Sequence, residues 1–256
     1  MLFHVTALAE GARTVFPTLP ERLGAVRRLA RHFGKRSLWF CLSDTHLHEL
    51  IEAREEELPF ILRDLKFVLD GLSDVQFDRP KVKPVREQSH LENCWKYVVS
   101  NREKHGLDSG LLDPGAGFVD VVGARVLPGF DRDRWKVHLP RWKTADLLGR
   151  LRLPLDATRP ATPDEVRAHG SFRLARSAAA AVGFPDLSLN IPHAVAARSA
   201  AIQLGLEAGL ARADLAHAVQ VVRQTTYGLG AAPAEVLDAL KRRITLETTT
   251  VLESPS

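Results

Sequence analysis

Cysteine is scarce. Of 256 residues only Cys41 and Cys94 are cysteines, too few for a disulfide framework, so a reduced, cytoplasmic setting is expected. No apolar stretch reaches the roughly 18 residues that a membrane span requires. The opening MLFHVTALAEGARTVF lacks a basic segment followed by an apolar run and so does not read as a secretory signal. There is no long-period repeat and no low-complexity tract. Charge of one sign is not in large excess either: 35 Lys and Arg stand against 31 Asp and Glu, a formal +4. That balance favours a polyanionic partner only weakly, because displaced counterions reward Lys and Arg near phosphates. Tyrosine is rare, with only Tyr97 and Tyr227, so a chemistry that needs a tyrosine has two candidates.

What is present suits a globular chain, 45% hydrophobic and 26% charged. Residues 3–9 read as a strand. Thr18 and Glu21 have capping-box spacing, and Leu23, Val26, Leu29, Ala30 and Phe33 recur at helical spacing, which predicts a helix over 18–33 ended by Gly34. Residues 37–43 form an apolar run bounded by turn residues, a buried strand. The following DTHLHELIE reads as another strand. A helix is expected over about 58–72, a connector or strand over 73–88, and a helix over 89–104 carrying Trp95 and Tyr97. This order implies an α+β chain that begins with an α/β sandwich on an antiparallel sheet. The stretch 108–161 is rich in Pro, Gly, Arg and Trp and is read as a basic connector. Its Trp135 and Trp142, interleaved with Arg132, Arg134, Lys136, Arg141 and Lys143, suit stacking on a single strand, or equally packing on a core. At Thr162-Pro163-Asp164-Glu165 an N-cap, a first-position proline and an acidic first turn open an all-helical unit over 162–256.

Two constellations carry chemistry. In His46-Leu47-His48, strand alternation puts both imidazoles on one face, where they can share a divalent cation. Taken alone, the triplet reads rather as two ordinary half-exposed strand histidines. Glu49 beside them is expected to point to the opposite face. Further on, Tyr97 by itself reads as an ordinary buried aromatic of the predicted helix, with Asn101 four residues later on the same face.

The segment FHVTALAEGARTVF, then a helix, then LWFCLSDTHLHELIE, resembles the opening of the REP-associated tyrosine transposases, one-tyrosine HUH enzymes that begin with an "HVT" strand and reach an "NHxHLL" strand. Lys96-Tyr97-Val98-Val99-Ser100-Asn101 and the REKHGL that follows resemble that family's "RYIxxNPxxAGL". The resemblance covers about residues 3–107 and defines the expected catalytic domain, 1–107. It implies Tyr97 as nucleophile and His46, His48 and Asn101 as ligands of Mg²⁺ or Mn²⁺. It also implies single-stranded or hairpin DNA as substrate, cut through a 5′-phosphotyrosine intermediate. Lys83-Pro84-Val85 fits the family's basic segment, so Lys83 is assigned to DNA. Asp44-Thr45 stands where the family has a pair ending in Asn, and Arg102 where it has Pro.

Residues 209–229, GLARADLAHAVQVVRQTTYGL, resemble a helix-turn-helix. Ala211–Val219 is the expected first helix, 220–222 the turn and Arg223–Leu229 the recognition helix. Leu215, Ala216, Val219, Val221 and Thr226 fall at packing positions. Arg223, Gln224, Thr225 and Tyr227 are of types that reach phosphates and base edges. Gln220 replaces the usual turn glycine, a cost if its backbone is left-handed. The flanking helices resemble the DNA-binding domain of replication initiators. Arg176, Arg198, Lys241, Arg242 and Arg243 are further positive charges there, of which Arg242 is taken as a DNA contact. A plain helical hairpin is the alternative for the motif. For the whole chain the alternative is a transposase that has lost cleavage and serves as a DNA-binding regulator. Monomer and homodimer both remain open.

Overall fold

A computed structural model describes residues 1–99 and 111–252. Four strands, β1 (Leu2–Leu8), β2 (Ser37–Leu42), β3 (His46–Glu52) and β4 (Lys81–Val85), form one antiparallel sheet in the order β2-β3-β1-β4. Helices α1 (Leu19–Phe33), α2 (Leu58–Asp70) and α3 (Gln88–Val99) complete this part of the chain. The chain is thus mixed α and β, as expected. By contact it divides into two units: residues 1–121 with 127–142, and residues 122–126 with 143–256.

In the first unit, strand alternation sorts the sheet residues between two faces. Phe3, Val5 and Ala7 of β1, Phe40 and Leu42 of β2, and Leu47 and Ile51 of β3 join the buried residues of α1 and α2 in one core. The other face carries His4, Thr6, Trp39, His46, His48 and Leu50, and α3 packs on it. There Trp95 of α3 meets Trp39 edge-on at 4.2 Å between ring centroids, and Trp135 lies 5.0 Å beyond. The capping box at Thr18 forms as its spacing predicts: Glu21 N–H donates to Thr18 Oγ1 (3.4 Å) and Thr18 N–H to the Glu21 carboxylate (2.8 Å).

The stretch read as a connector contributes to both units. Its residues 111–121 cover the open edge of β2, where Leu42 N–H donates to Gly115 O (2.8 Å) and Gly117 N–H to Phe40 O (3.1 Å). A Cβ at Gly115 would lie 2.1 Å from the Leu42 carbonyl oxygen and one at Gly117 2.5 Å from that of Phe40, so this close approach requires glycine. Trp135, 1% exposed, packs into the first unit. Of the two readings of the Trp–Arg/Lys segment, burial therefore selects core packing for Trp135. The indole of Trp142 is half-buried and lies 5.6 Å from the Lys96 ammonium.

The second unit is helical: α4 (Pro163–Ala181), α5 (Pro192–Glu207), α6 (Arg212–Ala218), α7 (Thr225–Gly228) and α8 (Ala234–Leu252). The N-cap at Thr162 is present, with its side chain accepting from Glu165 N–H. Fully buried alanines, Ala178 and Ala179 on α4 and Ala197, Ala200 and Ala201 on α5, let these two helices approach closely. A kink at Gly170 (φ +76°, ψ 163°) turns the chain just after His169. There Ser177 Oγ donates to Glu247 (2.6 Å), Arg243 Nε donates to the same carboxylate (2.7 Å), and His169 Nε2 lies 2.9 Å from Ser177 and 3.3 Å from Glu247.

Burial alone would raise the Glu247 carboxyl. The hydrogen bonds from His169, Ser177 and Arg243, with the Arg243 charge, outweigh it and hold the group down to about 2. A depressed carboxylate stabilises the fold above its unfolded value and stops doing so as pH falls through its folded value. The helical unit is therefore expected to lose about 3 kcal/mol between pH 5 and 2 through this group. Urea titrations at several pH values check it: Glu247→Gln should lack that share of the pH dependence, and an unchanged slope would refute the assignment.

Candidate active site

The site forms where β3 alternation and the sheet register meet. His46 lies opposite Leu8 of β1, and His48 opposite Thr6 of β1 and Cys41 of β2. Both imidazoles are buried (6% and 5% exposed), not half-exposed as for ordinary strand histidines, and their rings stand 4.8 Å apart at 87°. Each is held at Nδ1. For His46 the partners come from the preceding turn, Ser43 Oγ at 2.7 Å and Thr45 Oγ1 at 2.9 Å. For His48 they come from the neighbouring strand, His4 Nε2 at 3.1 Å and Thr6 Oγ1 at 3.3 Å. Thr45 thus helps to hold the first histidine. Burial first, then the Lys83 and His90 charges, pull the His4 imidazole below its ordinary value.

Tyr97 reaches the same place from α3. Its ring lies 5.0 Å from that of His48 and 6.3 Å from that of His4, nearly perpendicular to the former. Tyr97, His46 and His48 line one pocket of about 450 Å³ together with Thr6, Asp78, Arg79 and Lys81. Arg79 and Lys81 give this pocket a cationic border, and Lys83 follows two residues along β4; all three are exposed. Lys81 pairs in register with Thr6 and Lys83 with His4, so both share the face of the histidines. Asn101, the third expected ligand, lies outside the described residues. Among the described residues, no three His, Cys, Asp or Glu side chains converge as a ligand set. Where each Nδ1 carries the proton and donates to these partners, Nε2 of each ring is the nitrogen that would meet a divalent cation.

Glu49 does face away from the histidines. It is fully buried on the α1–α2 face, hydrogen-bonded by Ser37 Oγ, and burial pushes its carboxyl well above the ordinary range. The Ser177–His169–Glu247 group lacks the geometry of a serine–histidine–acid relay. A single ring nitrogen, His169 Nε2, faces both hydroxyl and carboxylate, whereas a relay needs one nitrogen for each.

In the helical unit, Leu215, Ala216, Val219 and Thr226 are buried, while Arg223, Gln224, Thr225 and Tyr227 are exposed, as their motif positions predict. The segment read as a recognition helix is shorter than expected: only Thr225–Gly228 is helical, one turn in place of Arg223–Leu229. Gly228, Gly230 and Pro233 remove helix propensity just where it would have to extend. Arg212 braces this turn, its guanidinium 4.4 Å from the Tyr227 ring centroid and its Nη1 donating to Thr226 O (3.3 Å). Close packing of α5 and α6 depends on Gly205, where a Cβ would lie 2.4 Å from the Leu215 side chain.

Not all the extra positive charges are spare. Arg198 is buried and donates to Leu187 O and Leu189 O. Arg242, taken from the sequence as a DNA contact, donates to Asp238 (3.2 Å) and to Thr158 O (2.9 Å) within the unit. Gln220 does have a left-handed backbone, φ +60°. Gln220→Gly should therefore stabilise the helical unit by about 1 kcal/mol. A denaturation midpoint at or below that of wild type would show that the Gln220 side chain compensates for its backbone.

Sequence reasoning missed His4, Thr6, Ser43, Arg79 and Lys81. The signal for His4 and Thr6 was available in the alternation of β1, but their pairing with His48 depends on a strand register that no local pattern specifies. No known protein family, characterised protein or solved structure matches this chain.

Proposed function

We propose that this chain cuts and rejoins single-stranded or hairpin DNA in a metal-dependent reaction in which Tyr97 forms a 5′-phosphotyrosine link. One observation carries the reading: a tyrosine from α3 and a pair of buried, oriented imidazoles from β3 share one pocket with a cationic border. His46 and His48 would hold Mg²⁺ or Mn²⁺, with Asn101 as the third ligand that the family resemblance implies. Bound there, the cation supplies polarisation of the scissile phosphate and offsets the charge that develops on it. Tyr97 Oη attacks phosphorus and loses its proton. The P–O3′ bond breaks, and the 3′ oxygen takes up a proton and leaves as a hydroxyl. The ester keeps phosphorus activated for attack by a second 3′ hydroxyl, which rejoins strands. Burial of the site favours a strand that can leave the duplex to enter it.

Arg79, Lys81 and Lys83 track the strand entering the pocket. Residues two apart on a β-strand are about 6.8 Å apart, comparable with successive phosphates on an extended single strand. In the helical unit, the exposed Arg223, Gln224, Thr225 and Tyr227 select the site on DNA. No helix among the described residues is long and apolar enough to cross a membrane.

The test is a cleavage assay with Mn²⁺ and labelled hairpin oligonucleotides from the chain's own genomic flanks. A protein–DNA adduct that resists denaturation and is lost on chelation is expected. Binding without an adduct under any divalent metal would move the reading to a regulator without cleavage. The edge strand makes a separate prediction. Lys81→Ala and Lys83→Ala should each lower the slope of log affinity against log salt for single strands by about 0.7. Fluorescence anisotropy across a salt series reads this, and unchanged slopes would remove β4 from the DNA path.

A further inference from the structure

We infer that His4 is a positioning residue, holding the His48 imidazole so that Nε2 and not Nδ1 faces the cation site. The inference rests on the metal-dependent reading above and assigns a role to a residue outside the implied ligand set.

His4 and His48 are not directly opposite in the sheet. His4 pairs in register with Leu50, and His48 lies two residues from Leu50 on the same face. They are diagonal neighbours across β1 and β3, a separation that long side chains can bridge. The bridge forms: His4 Nε2 lies 3.1 Å from His48 Nδ1, and the two rings are 5.2 Å apart and tilted by 30°. Thr6 Oγ1, directly opposite His48, approaches the same nitrogen at 3.3 Å. Two side chains of β1 thus converge on one nitrogen of one ring.

A neutral imidazole carries its proton on one nitrogen and a lone pair on the other. If Nδ1–H donates to His4 Nε2, the lone pair lies on Nε2, and the ring is both oriented and set in the tautomer that coordinates through that atom. His4 does not join His46 and His48 in a three-residue ligand set. It stands behind His48, as an orienting group would. His46 has its own hold from Ser43 and Thr45. The hydrogen bonds at the two Nδ1 atoms thus come from different places, one set from a local turn and the other from the neighbouring strand, and loss of His4 should act first on His48.

The experiment uses the full chain, Mn²⁺ alone as probe, and the variants His4→Ala and His4→Gln. Mn²⁺ affinity is read by electron paramagnetic resonance. The His48 tautomer in the metal-free protein is read by ¹⁵N resonances of histidine-labelled samples, assigned with His48→Gln. His4→Ala should weaken Mn²⁺ binding about 10–100-fold and shift His48 away from the Nδ1–H form. His4→Gln, whose amide oxygen can accept from Nδ1–H, should restore both toward wild type. Wild-type affinity and tautomer in His4→Ala would overturn the inference. So would equal weakening in both variants with an unchanged tautomer, because that pattern reports a merely structural residue. Absence of Mn²⁺ binding by the wild type would instead sink the metal-dependent reading. The tautomer in His4→Ala would then decide alone whether His4 holds the ring: a shift supports it and no shift overturns it.

Discussion

Tyr97→Phe is expected to abolish the covalent protein–DNA adduct, by at least about 10⁴-fold, while leaving single-strand affinity near that of wild type. The substitution removes one oxygen and keeps the ring that packs edge-on to His48 at 5.0 Å between centroids, so the pocket keeps its shape. Only the proposed attacking atom is lost. A phenol is a weak nucleophile at neutral pH, with an ordinary pKa near 10, and the proposed reaction depends on the pocket to activate it. Tyr227 is the internal control, because it is the other tyrosine in the chain. Its ring is 64% exposed and lies against Arg212, so Tyr227→Phe should leave the adduct intact. Denaturing electrophoresis of labelled oligonucleotide reads both variants. An adduct that survives Tyr97→Phe would end the assignment, and one lost only in Tyr227→Phe would move the nucleophile to the helical unit.

The second large effect concerns how Tyr97 is held. Trp95→Ala is expected to destabilise the first unit by about 3–5 kcal/mol. Trp95 is fully buried between Trp39 of β2 and Trp135, at 4.2 and 5.0 Å between ring centroids. Its removal leaves a large cavity between α3 and the sheet that neighbouring rings can fill only in part. Two residues on, Tyr97 depends on the same seating of α3, so activity should fall along with stability. Urea denaturation followed by backbone circular dichroism measures the loss, with the two units fitted as separate transitions. A cost under 1 kcal/mol would mean that α3 is anchored elsewhere.

Much of this is legible in the sequence because it is local. Capping boxes at Thr18 and Thr162, apolar periodicity in α1 and α2, and alternation in β3 each depend on residues within a few positions. All three appear in the structure where their patterns lie. Alternation alone sets His46 and His48 on one face and Glu49 on the other. Helix-turn-helix spacing likewise separates buried Leu215, Ala216, Val219 and Thr226 from exposed Arg223, Gln224, Thr225 and Tyr227. Propensity also warned of two weak points, Gln220 in the turn and Gly228 in the recognition segment, and both are found there: a left-handed backbone and a single-turn helix. Asn101 falls outside the described residues.

Hydrophobic period and capping act over a few residues, so local pattern is enough to set most elements, the faces they present and the residue types able to do chemistry. Which of those residues meet is fixed by long-range packing. The β1–β3 register brings His4 and Thr6 to His48. The close approach at Gly115 and Gly117 turns part of an expected connector into cover for the edge of β2. Packing buries Trp135 against Trp95, and the Thr158 carbonyl far along the chain takes up Arg242. These are contacts between residues distant in sequence, set by sheet register and side-chain volume, and a local pattern carries no information about either.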